Sequence, residues 1–538
     1  MADEKDFNDV LEDIFLGEEN QHKESYKEGY KAGFESGNPE GYHLGYHRGA
    51  ELGRELDSSM QTAMRLRNQI NTLITFLTPL LPLANCHMVE MFTLNHWEKL
   101  VPKPLKDTLE DMQLNDCIEK FWNCASNSEC SDASEFAVWI KNAQSHYVSI
   151  NNDYCLNLEQ LQNRFAKWGG QMKPEILITE FMSSKKSYEL QVQTMSHLVA
   201  SLHNSTHSTC CVEAGGGRGH LPVALTLGYG IPSLTIDCAD KTIEAAAVRI
   251  KIIQKQWHAI AKRVENGIQG RINDSINKNL HRFASAYITR DTDLASIVRE
   301  KFPEQTDIRV LLTGLHTCGN LGPDSLRIFA AQPAVKAVFN VPCCYHLLTE
   351  EVDAAMFDVF ERDFGSGHKM DEGFPMSQYL KGYNLGRNAR MLAAQSIDRV
   401  VYQKQLPDRS LLYRAILQVI IRQHLPNFTI PEGKLKRLST KCHGFRDYFK
   451  MADSALNLGL YDNLSESYLA DIVAQMDVQW KQTVLFYLLR LCLAQVVEGV
   501  ILLDRLLFLF ENGFKDVFLV KLFDPVLSPR CHSIVAVR

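Results

Sequence analysis

The run Glu213-Ala214-Gly215-Gly216-Gly217-Arg218-Gly219-His220 limits the fold more than any other stretch of the chain. It places Gly-x-Gly-x-Gly directly after a β-rich run, 209–214, and directly before the helix-forming Leu221-Pro222-Val223-Ala224. Such a turn lets backbone come close to a ligand and aims helix N–H groups at it. Further strands are expected at 233–237, 283–288, 309–313 and 335–341, with helical stretches between them, and a helix over 188–202 precedes the first. Alternation in this order predicts a doubly wound α/β sheet. A mostly helical block, 378–512, then intervenes. The chain closes with strands at 516–523 and 532–537 joined through Asp524-Pro525. A terminal hairpin fits the seven-stranded S-adenosylmethionine methyltransferase fold, whereas a dehydrogenase nucleotide fold would end on a parallel strand.

The expected organisation is a docking segment over 1–60, a helical cap over 61–177, the α/β core over 178–377, a helical insertion over 378–512 and the closing hairpin over 513–538. The first segment repeats glycine every fourth residue, at Gly29, Gly33, Gly37, Gly41, Gly45, Gly49 and Gly53, beside an aromatic track of Tyr26, Tyr30, Phe34, Tyr42 and Tyr46. A period of four is near the helical 3.6, so each track winds slowly around a helix. Each mid-helix glycine costs about 1 kcal/mol against alanine, and Asn38-Pro39 divides the segment. A partner surface lying close to the glycine ridge would compensate, so residues 26–57 are read as a protein-docking element.

Charge is distributed unevenly. Residues 1–57 hold 15 acidic and 6 basic side chains, a net of −9, and the whole chain is −7, which leaves the rest at −7 + 9 = +2. A nearly neutral body permits a local RNA groove without indicating one, and no DNA partner is expected. Fourteen cysteines in 538 residues are too dilute for a disulfide framework, and the acidic N-terminus shows no secretory signal. Reduced thiols in a cytoplasmic or nuclear protein are expected. The most apolar run, 488–510, contains Arg490, Gln495, Glu498, Asp504 and Arg505, which argues for burial in protein rather than lipid. No membrane partner is expected.

The ligand-facing candidates follow from the sheet. Glu213 ends the first strand, where a carboxylate can orient the loop and lie near the ammonium of an amino-acid ligand. Gly215, Gly217 and Gly219 form the turn. Asp237 ends the second strand, placed to accept from a ribose diol, and Asp291 with Thr292 follow the third, facing an adenine edge. The cofactor expected on these residues is S-adenosyl-L-methionine. The fourth and fifth strands lead into Leu315-His316-Thr317-Cys318-Gly319 and Pro342-Cys343-Cys344-Tyr345-His346. His316 and His346 are candidate general bases for an acceptor hydroxyl or amine, with Tyr345 as a third catalytic candidate. His316, Cys318, Cys343 or Cys344, and His346 include enough N/S donors for zinc. Their spacing lacks a knuckle pattern, so no metal is assigned.

From Lys185-Lys186-Ser187-Tyr188-Glu189 onward these motifs, together with Gly373-Phe374-Pro375-Met376-Ser377, Leu502-Leu503-Asp504-Arg505-Leu506-Leu507, Phe523-Asp524-Pro525 and Ser528-Pro529-Arg530, resemble the methyltransferase-like protein 25 family over about residues 67–538. The resemblance implies a methyltransferase domain that binds S-adenosylmethionine. His316 to Gly319 and Cys343 to His346 are also similar to elements of tRNA 2′-O-methyltransferases, with Tyr345 where those carry histidine, which implies an RNA acceptor. The Gly-x-x-x segment, about residues 6–57, resembles the oral-cancer-overexpressed protein family, whose members pair with a second repeat protein as adaptors for iron–sulfur delivery. That resemblance implies a protein partner.

Overall fold

The computed structural model describes residues 59–126, 131–150, 152–176, 186–265, 280–350, 373–431, 434–435, 438 and 442–538. The Gly-x-x-x repeat and its expected docking role lie outside the described residues. Residues 66–538 form one compact unit.

Among the described residues, eight strands build one sheet: β1 (Cys155–Leu156), β2 (Cys210–Ala214), β3 (Ser233–Asp237), β4 (His281–Ser285), β5 (Val310–Cys318), β6 (Val335–Cys343), β7 (Asp516–Lys521) and β8 (His532–Val537). Their spatial order is β1-β7-β8-β6-β5-β2-β3-β4. All pairings are parallel except those of β8, which runs antiparallel to both β6 and β7. The expected seven strands are present, and the expected closing hairpin inserts β8 between β6 and β7.

The eighth strand, β1, lies within the helical region 61–177 and was not expected. Cys155 and Leu156 pair with Leu519 and Val520 along the outer edge of β7. Asn152 sets the bend into the strand, its Oδ1 accepting from the N–H groups of Tyr154 at 3.0 Å and Cys155 at 2.7 Å. Two residues show no periodicity in sequence, yet they cover β7 backbone groups that would otherwise stand unpaired.

Helix α1 (Lys186–Ser205) lays Val192, Met195, Leu198, Val199 and Leu202 on the sheet, against Cys211, Leu311, Phe339 and Val535. Helices α2 (Asp240–Glu265) and α3 (Leu321–Ala331) are crossovers that keep the core strands parallel. The apolar run near the C-terminus forms α4 (Met476–Leu491) and α5 (Ala494–Glu511). Met476–Glu511 is long and apolar enough to cross a membrane by length and composition, but 89% of its most apolar window is buried inside the protein. Two of its charges bond inside the protein. Arg490 donates to the carbonyls of Leu83 and Ala84 at 3.0 and 2.9 Å. Asp504 accepts from the N–H groups of Met376 and Ser377 at 2.7 and 2.9 Å and from Ser377 Oγ at 2.6 Å. The 373–377 motif is thereby tied to the helix that precedes the closing hairpin.

Candidate functional site

The direction of winding reverses between β2 and β5, which are neighbours in the sheet while β3 and β4 extend to one side and β6 to the other. Crevices form at the carboxyl ends of strands at such a point. The glycine loop leaves β2 there. Gly215, Gly217 and Gly219 have φ of +67°, +52° and +66°, a region L side chains rarely enter. Space is also short at two positions: a Cβ on Gly215 would stand 2.6 Å from Leu321 Cδ2, and one on Gly216 2.5 Å from Glu213 Oε2, whereas Gly217 is open.

Asp237 holds the turn. Its Oδ2 accepts from Gly217 N–H at 3.0 Å and its Oδ1 from Ala239 N–H at 2.9 Å. A carboxylate offers about four lone-pair sites, so bracing the loop leaves acceptor capacity free toward a ligand. Glu213 is only 4% exposed and its Oε2 has no hydrogen-bond partner. Burial, and then the nearby Asp237 charge, push its carboxyl well above the usual range. A buried acid with an orphaned oxygen at a ligand crevice is suited to a cationic group.

Across the crevice, β5 runs five residues beyond the expected 309–313. A register shift against β6 between Gly314 and Thr317 interrupts the ladder, and Thr317 Oγ1 secures the far side through Asn340 Oδ1 at 3.0 Å. His316 and Cys318 therefore share the opposite face. The His316 carbonyl would lie 3.9 Å from a Cβ on Gly215, which places this strand end beside the glycine loop. The His316 ring stacks on Tyr188, centroids 5.8 Å apart, and Tyr188 meets His220 edge-on at 5.4 Å. Burial lowers both histidines, His220 to about 4, with Arg249 and Arg218 adding to it; at His316 the Arg530 charge adds to it. His346 is lowered by burial and by Arg387, Arg390 and Arg530.

A methyltransferase-domain family model matches residues 185–351, from α1 through the end of β6. The chain has a methyltransferase-like fold. "Probable methyltransferase-like protein 25" of Homo sapiens is 26% identical over 88% of this chain and 97% of its own length. The protein of the same name from Mus musculus is 27% identical over 88% and 96%. No solved structure matches the chain. The sheet order, the matched domain and these relatives together make it a methyltransferase-fold protein.

The fold brings Glu213, Gly215, Gly217, Gly219 and Asp237 together at the carboxyl edge and sets His316 beside them. The 3-10 turn Tyr345–Leu347 carries His346 just beyond β6, half-buried. Asp291 projects to solvent, its side chain 84% exposed and 3.7 Å from Arg290 Nε. Thr292 Oγ1 closes a local turn by accepting from Thr289 N–H at 2.9 Å. The described contacts tie neither residue to the glycine loop.

Tyr345, the third catalytic candidate, turns into the core. It is 1% exposed, its hydroxyl donates to Glu498 Oε1 at 2.8 Å, and the Arg505 guanidinium lies 5.9 Å from its ring centre. The αL conformation of Cys344, φ +52°, turns the chain so that Tyr345 enters the core. Tyr188, His220 and Arg530 were not expected at the site. Each belongs to a quoted motif, but their shared location depends on strand order, which no linear spacing reveals.

Proposed function

We propose that the chain belongs to the methyltransferase-like protein 25 family and moves a methyl group from S-adenosylmethionine to an RNA nucleotide. The carrying observation for the donor is the pairing of an orphaned, buried Glu213 oxygen with a glycine turn held at positive φ at Gly215, Gly217 and Gly219. Both fit a ligand with a cationic amino-acid end. S-adenosylmethionine, when bound, supplies a methyl group already activated on its sulfonium.

The chain's own residues then orient and deprotonate. Glu213 receives the cationic end, the backbone of Gly215 to Gly219 encloses it, and Asp237 combines loop bracing with acceptance from a ribose hydroxyl. His316, held uncharged near pH 7 by burial, has a ring nitrogen available to take the acceptor's proton. Its stacking on Tyr188 fixes the plane of the ring.

Support for an anionic acceptor comes from the surrounding cations. Arg530 lies within electrostatic reach of His316 and His346, and Arg218 and Arg249 within reach of Tyr188 and His220. Among the described residues Arg218, Arg249 and Arg530 form no ion pair with an acid. Arginines free of acids beside an acceptor crevice favour phosphate contacts.

The test supplies methyl-labelled donor and full-length protein to RNA and protein from cells lacking it. Label removed by nuclease and not by protease is expected. Label in protein alone overturns the RNA acceptor and leaves the donor reading standing. We also propose that residues 26–57 dock a protein partner, on the register of their seven glycines. A pull-down that recovers the same partners after removal of residues 1–60 overturns this.

A further inference from the structure

Beyond the histidines, one side-chain cluster at the carboxyl edge has no part in donor binding. Cys318 ends β5 and Cys343 ends β6, directly opposite each other in the parallel ladder. Cys344 follows Cys343 in sequence, and consecutive residues of a strand point to opposite faces. Here they do not. Cys344 takes φ +52°, a conformation that costs a non-glycine residue about 1 kcal/mol or more, and its sulfur turns back to join the other two. The three Sγ atoms all lie within 4.8 Å of one another, with Cys318 and Cys343 at 3.0 Å.

We propose that Cys318, Cys343 and Cys344 form a three-thiolate site for a thiophilic divalent cation of the zinc class. Sulfurs at about 2.3 Å from a tetrahedral centre stand about 3.8 Å apart, so sub-ångström shifts convert the observed triangle into a ligand set. Binding replaces thiol protons, released to solvent, with bonds to the metal. Three thiolates around a divalent ion leave one negative charge, and Arg530 lies close enough to Cys318 and Cys344 to offset it.

Among the described residues no histidine or carboxylate joins the group. The fourth position therefore faces outward with the exposed Cys318, open to water or to the acceptor, as in catalytic rather than structural zinc sites. Gly319, φ +54°, allows this closeness: a Cβ there would stand 2.9 Å from Leu347 Cβ and O, against the turn that carries Cys344. Ligands at 318 and 343–344 have no knuckle spacing and meet only through pairing of β5 with β6.

The test uses the full-length chain, stripped by chelator under reducing conditions and titrated with Zn²⁺ against a chromophoric competitor. One equivalent per chain is expected. Cys318→Ser, at an exposed position, is expected to weaken binding by at least about 100-fold, beyond the usual effect of outer-shell changes. Cys238→Ser, at an exposed cysteine outside the cluster, is expected to match wild type. Co²⁺ in place of zinc is expected to give thiolate charge-transfer bands that Cys318→Ser reduces. Circular dichroism confirms that the variant is folded. Equal affinity of folded Cys318→Ser and wild type, or a Cys318–Cys343 disulfide that persists in the fully reduced preparation, overturns the proposal.

Discussion

Replacing Glu213 with glutamine is expected to flatten the pH dependence of stability and to weaken donor binding, two effects traced to one buried carboxyl. Burial and Asp237 hold that group well above its usual value of 4.5. The folded chain therefore keeps the proton while the unfolded chain releases it. Its contribution is complete below about pH 4.5 and is lost progressively as pH rises through the raised folded value, with a slope of about 1.4 kcal/mol per pH unit. Glutamine preserves the shape but has no proton to release, so that component of the slope disappears. On binding, glutamine forfeits a charge-assisted hydrogen bond, worth about 1.5–3 kcal/mol, or about 10- to 150-fold in Kd. Denaturant unfolding across the weakly acidic to neutral range, paired with calorimetric titration of S-adenosylmethionine, reads both effects. A variant with the wild-type pH slope, or with wild-type affinity for the donor, refutes the assignment.

Other substitutions probe the surrounding structure. Gly215→Ala forces an L residue to φ +67° at about 1–2 kcal/mol and drives its Cβ against Leu321, so thermal unfolding is expected to shift down and donor affinity to fall with it. Asp504→Ala leaves three buried donors unsatisfied at about 1–3 kcal/mol each, and denaturant titration is expected to show a loss above about 3 kcal/mol. Because burial raises Asp504 to about 6 from 3.8, the wild-type contribution from its proton is complete below pH 3.8 and lost as pH rises through about 6, and Asp504→Asn is expected to remove that component. His316→Gln is expected to lower kcat by about 10²- to 10⁴-fold while donor Kd stays within about twofold. Since burial holds His316 below its usual 6.5, wild-type activity is expected to persist below pH 6.5.

Local chemistry made much of the sheet legible. The expected bounds of 233–237 and 532–537 are those of β3 and β8, because Pro232 marks the start of the first and Ser528-Pro529 the turn before the second. The glycine loop could be placed because its neighbours are a strand and a helix in immediate succession. β5 was underestimated since Gly314 ends the apolar run, whereas the strand continues through a register shift that only its partner β6 explains. β1 was invisible because two residues have no period. The site was legible where its residues end strands, as with Glu213 and Asp237. It was not legible where side-chain direction decides: Tyr345 follows a left-handed residue into the core, and Tyr188 reaches His316 from a helix far away in sequence. The cysteine cluster shows the same limit, since its geometry arises from parallel pairing of strands separated by a helix.

The most direct test of the donor site is calorimetric titration of the full-length chain with S-adenosylmethionine, alongside Asp237→Ala. Asp237 braces Gly217 and, in the proposed site, accepts from the donor, so saturable one-to-one binding by wild type and at least a tenfold loss in a folded Asp237→Ala variant are predicted. No saturable binding by the wild-type chain, or equal binding by the two proteins, contradicts the account.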